Sequence, residues 1–228
     1  MFNTYGKRSK CREETVITRL LKAIVVSSFV AFLPALGNLD VLCSPPIVIL
    51  WVFGIAASIL QPDYNPFTIA AKQGDRGTGA QIIWSVYITQ LAAVLECAYL
   101  RYPESVEWNG ATIAAIVGMT LGLALRSWAV FTLGNLITMH IAVQENHTVI
   151  RRGPYRIVRH PSYLGAFVMY VSTTVLLHAW FSTVAAVVIL PFAFVRRISY
   201  EENLLREQFG REYETYCSGV KRLFPGIW

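Results

Sequence analysis

YLGAFVMYVSTTVLLHAWFSTVAAVVILPFAFV, residues 163–195, holds no Asp, Glu, Lys or Arg. As a single helix it would reach about 50 Å, while the hydrocarbon of a bilayer is about 30 Å thick. The run therefore reads as a helical hairpin turning near His178–Trp180. Further apolar blocks at 16–36, 41–60, 81–100 and 110–131 are each long enough for one crossing, and 54% of the 228 residues are hydrophobic against 15% charged. Blocks of this kind, rather than the spacing of soluble amphipathic helices, indicate an all-α integral membrane protein. Five to six transmembrane helices are expected, six if the hairpin crosses fully and five if it only dips in. With no internal repeat, low-complexity tract or long linker, residues 1–228 form one polytopic domain.

Loop charge tests this map independently, because cytosolic loops collect Lys and Arg. With the N-terminus inside, eighteen of the 20 basic residues fall on the inner side, Arg101 falls outside and Arg126 lies within a span. The net charge of +6 is then matched by an anionic cytosolic leaflet and by contact with membrane lipids, and calls for no nucleic acid. Residues 7–22 followed by an apolar stretch have the form of a cleavable signal peptide. Removal would spoil the charge alternation, so a retained first span is expected. Cys11, Cys43, Cys97 and Cys217 lie far apart without the spacing of a metal site, so neither a disulfide framework nor a metal is expected, and Cys11 reads as a free thiol. GDRGTG, 74–79, lacks the order of a dinucleotide fingerprint and reads as a loop turn. In the tail, 201–216 reads as an amphipathic helix along the inner surface and Trp228 as an interfacial anchor.

Immediately before the hairpin stands a polar knot, RRGPYRIVRHPSYLG, 151–165. Gly153 and Pro154 enforce a turn and Pro161 disfavours helix at His160, leaving backbone amides without helical partners and free to hold a polar ligand. Irregular backbone is tolerated at membrane depth mainly where it is buried or lines a cavity. A positive-inside loop accounts for Arg151, Arg152 and Arg156, but not for Tyr155 and Tyr163 set around Arg159 and His160. Just after the hairpin comes RRISYEE, 196–202. The hairpin brings its two mouths together, so Arg159 and His160 should lie near Arg197, Glu201 and Glu202. Arg197 and Glu201, four apart, can pair on a helix face or line a cavity. Glu96 and Arg126, charged within apparent spans, should face protein, a polar cavity or the interface.

HTVIRRGPYRIVRHPSYLG (147–165), RRISYEENLLREQFGREYETY (196–216) and KRLFP (221–225) together resemble the isoprenylcysteine carboxyl methyltransferase family. The resemblance covers 140–228, the expected methyltransferase core, while 1–139 agrees only in being a variable set of spans. It implies an enzyme that uses S-adenosyl-L-methionine in a cytosolic cofactor pocket and methylates the C-terminal carboxylate of a prenylated cysteine entering from lipid. It further implies that the cofactor is held by His147, Thr148, Val149 and Ile150, by Tyr155, by His160, Pro161, Ser162 and Tyr163, and by Glu201. Gln144 matches a further cofactor contact, although the chain is shorter between it and His147. Arg197 falls on the substrate side. A carboxylate acceptor, already ionised at neutral pH, needs a cation rather than a base, which suits Arg197 or Arg159 and gives Arg159, Arg197 and Glu201 as the catalytic set.

The alternatives are a same-family enzyme acting on another hydrophobic acid or a phospholipid amine, a nicotinamide-dependent membrane reductase, and a non-catalytic scaffold. An amine would need a base, for which His160 or Glu202 is available. Reductases with a similar RHPxYxG stretch carry a glutamate where this chain has Ala166. The membrane implied is the endoplasmic reticulum in a eukaryote and the plasma membrane in a bacterium.

Overall fold

A computed structural model describes residues 16–61, 76–134 and 149–224. The expectations for Cys11, Gln144, His147, Thr148 and Trp228 fall outside these residues.

Among the described residues the architecture is helical. Six helices carry it: α1 (Val16–Phe32), α3 (Pro45–Leu60), α4 (Thr78–Tyr99), α5 (Gly110–Leu133), α6 (Pro161–Leu176) and α7 (Trp180–Phe209), with short α2 (Leu39–Leu42) between α1 and α3 and α8 (Arg211–Gly219) at the end. Four segments, Ile17–Ala35, Thr78–Tyr99, Gly110–Leu133 and Trp180–Phe209, are long and apolar enough to cross a membrane. The other two long helices have 16 residues each, or about 24 Å. The starts are written locally where the chain allows it. Prolines occupy the first turns of α3 and α6, where a missing N–H loses nothing. Asn109 and Thr112 form a reciprocal capping box on α5.

No local residue caps α7. The amides of its second and third residues, Phe181 and Ser182, donate to Glu96 of α4 at 3.0 and 2.8 Å, and the Ser182 hydroxyl adds a third bond at 2.8 Å. Glu96 is thus a buried anion at a helix N-terminus, where the dipole favours it, with Arg101 3.6 Å away. The neighbouring turn between α6 and α7 is pinned by His178, whose ring nitrogens lie 3.2 Å from the Ser105 carbonyl and 3.3 Å from Asn109 Oδ1.

Small residues set the packing. A Cβ on Gly122 would stand 2.6 Å from the Met169 amide nitrogen, and one on Gly165 would stand 2.7 Å from both the Arg126 nitrogen and the Gly122 carbonyl oxygen. Backbones this close bring α5 and α6 into the tightest pairing in the fold, the device by which membrane helices gain packing without a hydrophobic driving force. Ile17, Leu21, Val25, Phe131, Phe181, Val184 and Phe192 point outward, as a lipid-facing surface requires.

The tail departs from expectation. Residues 201–209 continue α7 rather than joining 210–216 in one surface helix, because Gly210 takes φ +50 and breaks the chain direction there. The helix does not stop where the apolar run does, at Val195, so α7 extends about 45 Å and carries Glu201, Glu202 and Arg206 beyond it.

Candidate active site

The knot is built as a plug. After Gly153 (φ +60) a short helical turn, Gly153–Arg156, leads to an extended stretch whose Arg159 and His160 amides donate to the Lys221 and Arg222 carbonyls at 2.7 and 3.0 Å. Those amides were expected to be free for a ligand. They are not: the C-terminal segment has taken them, satisfying polar backbone that Pro161 excludes from helix α6.

Glu202 locks this junction. Its side chain is fully buried, with Arg159 Nε at 3.0 Å, His160 Nε2 at 3.2 Å, Arg206 Nη2 at 3.0 Å and Arg222 Nη2 at 2.9 Å. Arg159 also donates to the carbonyls of Cys217 and Val220. One carboxylate therefore ties the knot, α7 and the tail together. Arg159, expected as a cation for the acceptor, has its guanidinium committed to this lock, although it also borders the cavity described next.

Inside the plug lies a cavity of about 440 Å³. Its mouth is a polar ring to which the six long helices and their flanks contribute. Arg19 of α1 donates to the carbonyl of Gln61, just beyond α3, whose amide reaches Ser127 Oγ of α5 at 3.4 Å. Arg126 of α5 donates to the Ser162 carbonyl and hydroxyl at 3.1 and 3.2 Å. Arg197 of α7, 4% exposed, donates to Thr78 Oγ1 of α4 at 2.9 Å. Tyr163 donates to Glu201 Oε2 at 3.0 Å. Below the ring the walls turn apolar: Ala23 and Val26 from α1, Phe53 from α3, Ile83 and Val86 from α4, Met169 from α6 and Phe194 from α7.

The sequence-based candidates converge on this cavity. Val149, Ile150, Tyr155, Arg159, His160, Ser162, Tyr163, Arg197 and Glu201 all line it, and Pro161 starts the helix that carries two of them, Ser162 and Tyr163. Tyr155 is held by the Tyr216 hydroxyl on its carbonyl at 2.6 Å. Burial, reinforced by the nearby Glu201 charge, pushes the Tyr155 hydroxyl well above its ordinary value, and burial pushes Tyr216 up to about 12. Both therefore stay neutral over any working pH.

Sequence reasoning missed the contribution of α1 and α3. Arg19 and Gln61, each a polar residue at the end of an apolar block, were the available signals. Tyr213 and Tyr216 also line the cavity from α8. Their helical spacing was legible, but the face they present was not.

A family model described as isoprenylcysteine carboxyl methyltransferase matches residues 113–207. A probable protein-S-isoprenylcysteine O-methyltransferase of indica rice is 35% identical over 184 residues, covering 78% of this chain and 96% of the relative. The protein-S-isoprenylcysteine O-methyltransferase of Saccharomyces cerevisiae is 26% identical, covering 94% of this chain and 91% of that one. Among solved structures, the eukaryotic intramembrane Ras methyltransferase ICMT shares the fold, with a TM-score of 0.62 and 20% identity over 92% of this chain and 76% of that chain. The extent and identity of these matches, on a helical membrane scaffold with this cavity, show that the chain belongs to the isoprenylcysteine carboxyl methyltransferase family and is a membrane methyltransferase.

Proposed function

We propose that the protein methylates the C-terminal carboxylate of a prenylated cysteine, using S-adenosyl-L-methionine. The observation that carries this reading is the joining of a charged ring and an apolar shaft in one cavity, the shape demanded by an acceptor with an anionic head and an oily tail. The names of the rice and yeast relatives support the same acceptor.

The donor set fits the cofactor. Glu201 offers a carboxylate for its positive groups, Tyr155 and Tyr163 offer aromatic walls, and cations stand on the ring for its carboxylate. When bound, S-adenosyl-L-methionine supplies a methyl group on a positively charged sulfur. Arg197 would hold the acceptor carboxylate, being buried, always charged and braced by Thr78, so that orientation is fixed before reaction. The apolar shaft excludes water from both groups and strengthens the attraction between them. Arg159 would act through Glu202, keeping the knot in place.

No proton needs to be removed from a carboxylate. That matters here, since His160 and Glu202, the two groups available as a base for an amine acceptor, face each other inside the lock. Tyr155 and Tyr163, neutral donors, complete the wall. In a eukaryotic cell the host membrane would be the endoplasmic reticulum, and in a bacterium the plasma membrane.

The test is incubation of the purified protein with methyl-labelled cofactor and a panel of N-acetyl prenylcysteines, fatty acids and phospholipid amines. Label is expected in the base-labile ester of the prenylcysteines, with a rate flat above about pH 6, where a carboxylate acceptor is fully ionised. Label in the amine, or a rate rising with pH through the neutral range, would replace this reading with the amine one.

A further inference from the structure

On the outer side of the knot a second, open hollow of about 230 Å³ lies between the knot and α8, lined by Arg151, Arg156, Thr215, Tyr216, Gly219 and Val220. Gly153, at φ +60, turns the chain, and the short helical turn that follows returns Arg156 to the hollow that Arg151 already borders. The parallel pairing of Val158 with Lys221 holds the tail against it.

Unlike Arg159, these two arginines are largely uncommitted. Arg156 is exposed and has no hydrogen bond or ion pair among the described residues. Arg151 lies 3.8 Å from the Glu212 carboxylate with both side chains about half exposed, a pairing that contributes little in water. Its Nη2 donates to the Glu212 carbonyl at 2.9 Å and its guanidinium stands 5.8 Å from the centre of the Tyr216 ring, which leaves its other N–H groups available. The Thr215 hydroxyl gives its proton to the Arg211 carbonyl at 2.8 Å, and the Val220 amide donates to the Tyr216 carbonyl at 3.1 Å. The donors left to the hollow are therefore guanidinium groups. A tetrahedral phosphate presents oxygens to two such forks at once, whereas a single carboxylate is consumed by one.

We propose that this hollow binds a phosphate group, and that the phosphate clasps the knot to α8. Lipid headgroups and the cytosol both hold such groups. The headgroup layer is the nearer source, because Arg156 stands just ahead of Pro161, where α6 begins, and its neighbour Ile157 is 54% exposed. Tyr216 belongs to both hollows: it lines the cavity, and its hydroxyl holds the Tyr155 carbonyl at 2.6 Å. A phosphate on Arg151 and Arg156 steadies that wall from outside, so phosphate and cofactor strengthen each other's binding. A loop bias toward positive charge explains the sign of these arginines but not their meeting in one hollow backed by a residue of the site. The cofactor reading proposed above is needed only for one of the two readouts that follow.

The experiment measures thermal unfolding and S-adenosylhomocysteine affinity of the full-length protein in nanodiscs of three compositions. These are phosphatidylcholine alone, phosphatidylcholine with phosphatidylglycerol, and phosphatidylcholine with oleate, which brings negative charge without adding a phosphate. The detergent-solubilised protein is titrated with inorganic phosphate in parallel, at fixed ionic strength. Arg156→Gln removes a charge from the hollow, and Arg152→Gln removes one from the same exposed stretch without lining it. Phosphatidylglycerol should raise the melting temperature by roughly 2–4 °C over the other two membranes and tighten S-adenosylhomocysteine binding by up to about fivefold, the factor one arginine supplies near an anionic surface. Arg156→Gln should abolish both gains and leave the values in phosphatidylcholine alone unchanged, while Arg152→Gln keeps them. Gains that oleate reproduces, or that both variants lose equally, would reduce the effect to diffuse surface attraction and overturn the site, as would no gain from any phosphate. A matching gain from inorganic phosphate, lost in Arg156→Gln, supports the site with free phosphate as its source. Should the unmodified protein bind no S-adenosylhomocysteine, the cofactor reading falls, and the melting temperatures still decide the phosphate site.

Discussion

Replacing Glu202 by Gln keeps the volume of the side chain and removes only its charge. Arg159, whose side chain is 8% exposed, would then sit buried without its anion. Breaking a buried pair from one side costs about 3–5 kcal/mol, because the remaining charge is left uncompensated. Arg206 and Arg222 are 37% and 27% exposed and can turn to water, so they add little. A loss near the low end, about 3–4 kcal/mol, corresponds to a fall in melting temperature of roughly 6–16 °C for a chain of this size. The assay is thermal unfolding of the detergent-solubilised protein followed by intrinsic fluorescence, with S-adenosylhomocysteine affinity measured in parallel. Affinity should fall too, since Tyr213 and Tyr216 reach the cavity only when the tail is locked. A melting temperature within about 2 °C of the parent, combined with complete loss of turnover, would refute the lock and make Glu202 a participant in the chemistry.

Arg197→Ala should raise KM for the acceptor by roughly 10–100-fold, the equivalent of a charge-assisted hydrogen bond of about 1.5–3 kcal/mol, with cofactor affinity largely kept. Glu201→Ala should do the reverse, weakening S-adenosylhomocysteine binding more than acceptor use; exchanged effects would overturn both roles. Gly165→Ala places a methyl 2.7 Å from backbone atoms of Arg126 and Gly122, and overpacking of that kind should destabilise by about 1–3 kcal/mol, read as a lower melting temperature. Tyr155, Tyr213 and Tyr216 all have hydroxyls raised above the ordinary value of 10.0, chiefly by burial. Their contribution to stability is therefore complete below pH 10 and is lost as pH rises toward 12 and beyond, where the unfolded chain ionises first. Melting temperature should be level from pH 7 to 9 and fall steeply above 10, and Tyr216→Phe should soften that fall.

Much of this protein is written in short-range terms. Apolar blocks set the helices, because a bilayer leaves backbone polar groups no partner outside the segment itself. Pro161 ended one element and began another, and the knot marked the site because its residues make little sense as a simple loop. Tertiary structure alone decided where each charge is spent. Glu201 and Glu202 are adjacent, yet on a helix successive residues point about 100° apart, so one faces the cavity and the other is sealed among arginines from three separate segments. Arg159 and Arg197 read alike along the chain, and only packing tied the first to Glu202 and turned the second into the ring. The bridge between Gln90 and Thr173 had no signature either, since each is one of several polar residues in its helix, beside Thr89 or within Ser172–Thr174, until α4 and α6 meet. Composition and turn chemistry act within a few residues, whereas ion pairing and cavity depth depend on distances that exist only once helices far apart in sequence are packed together.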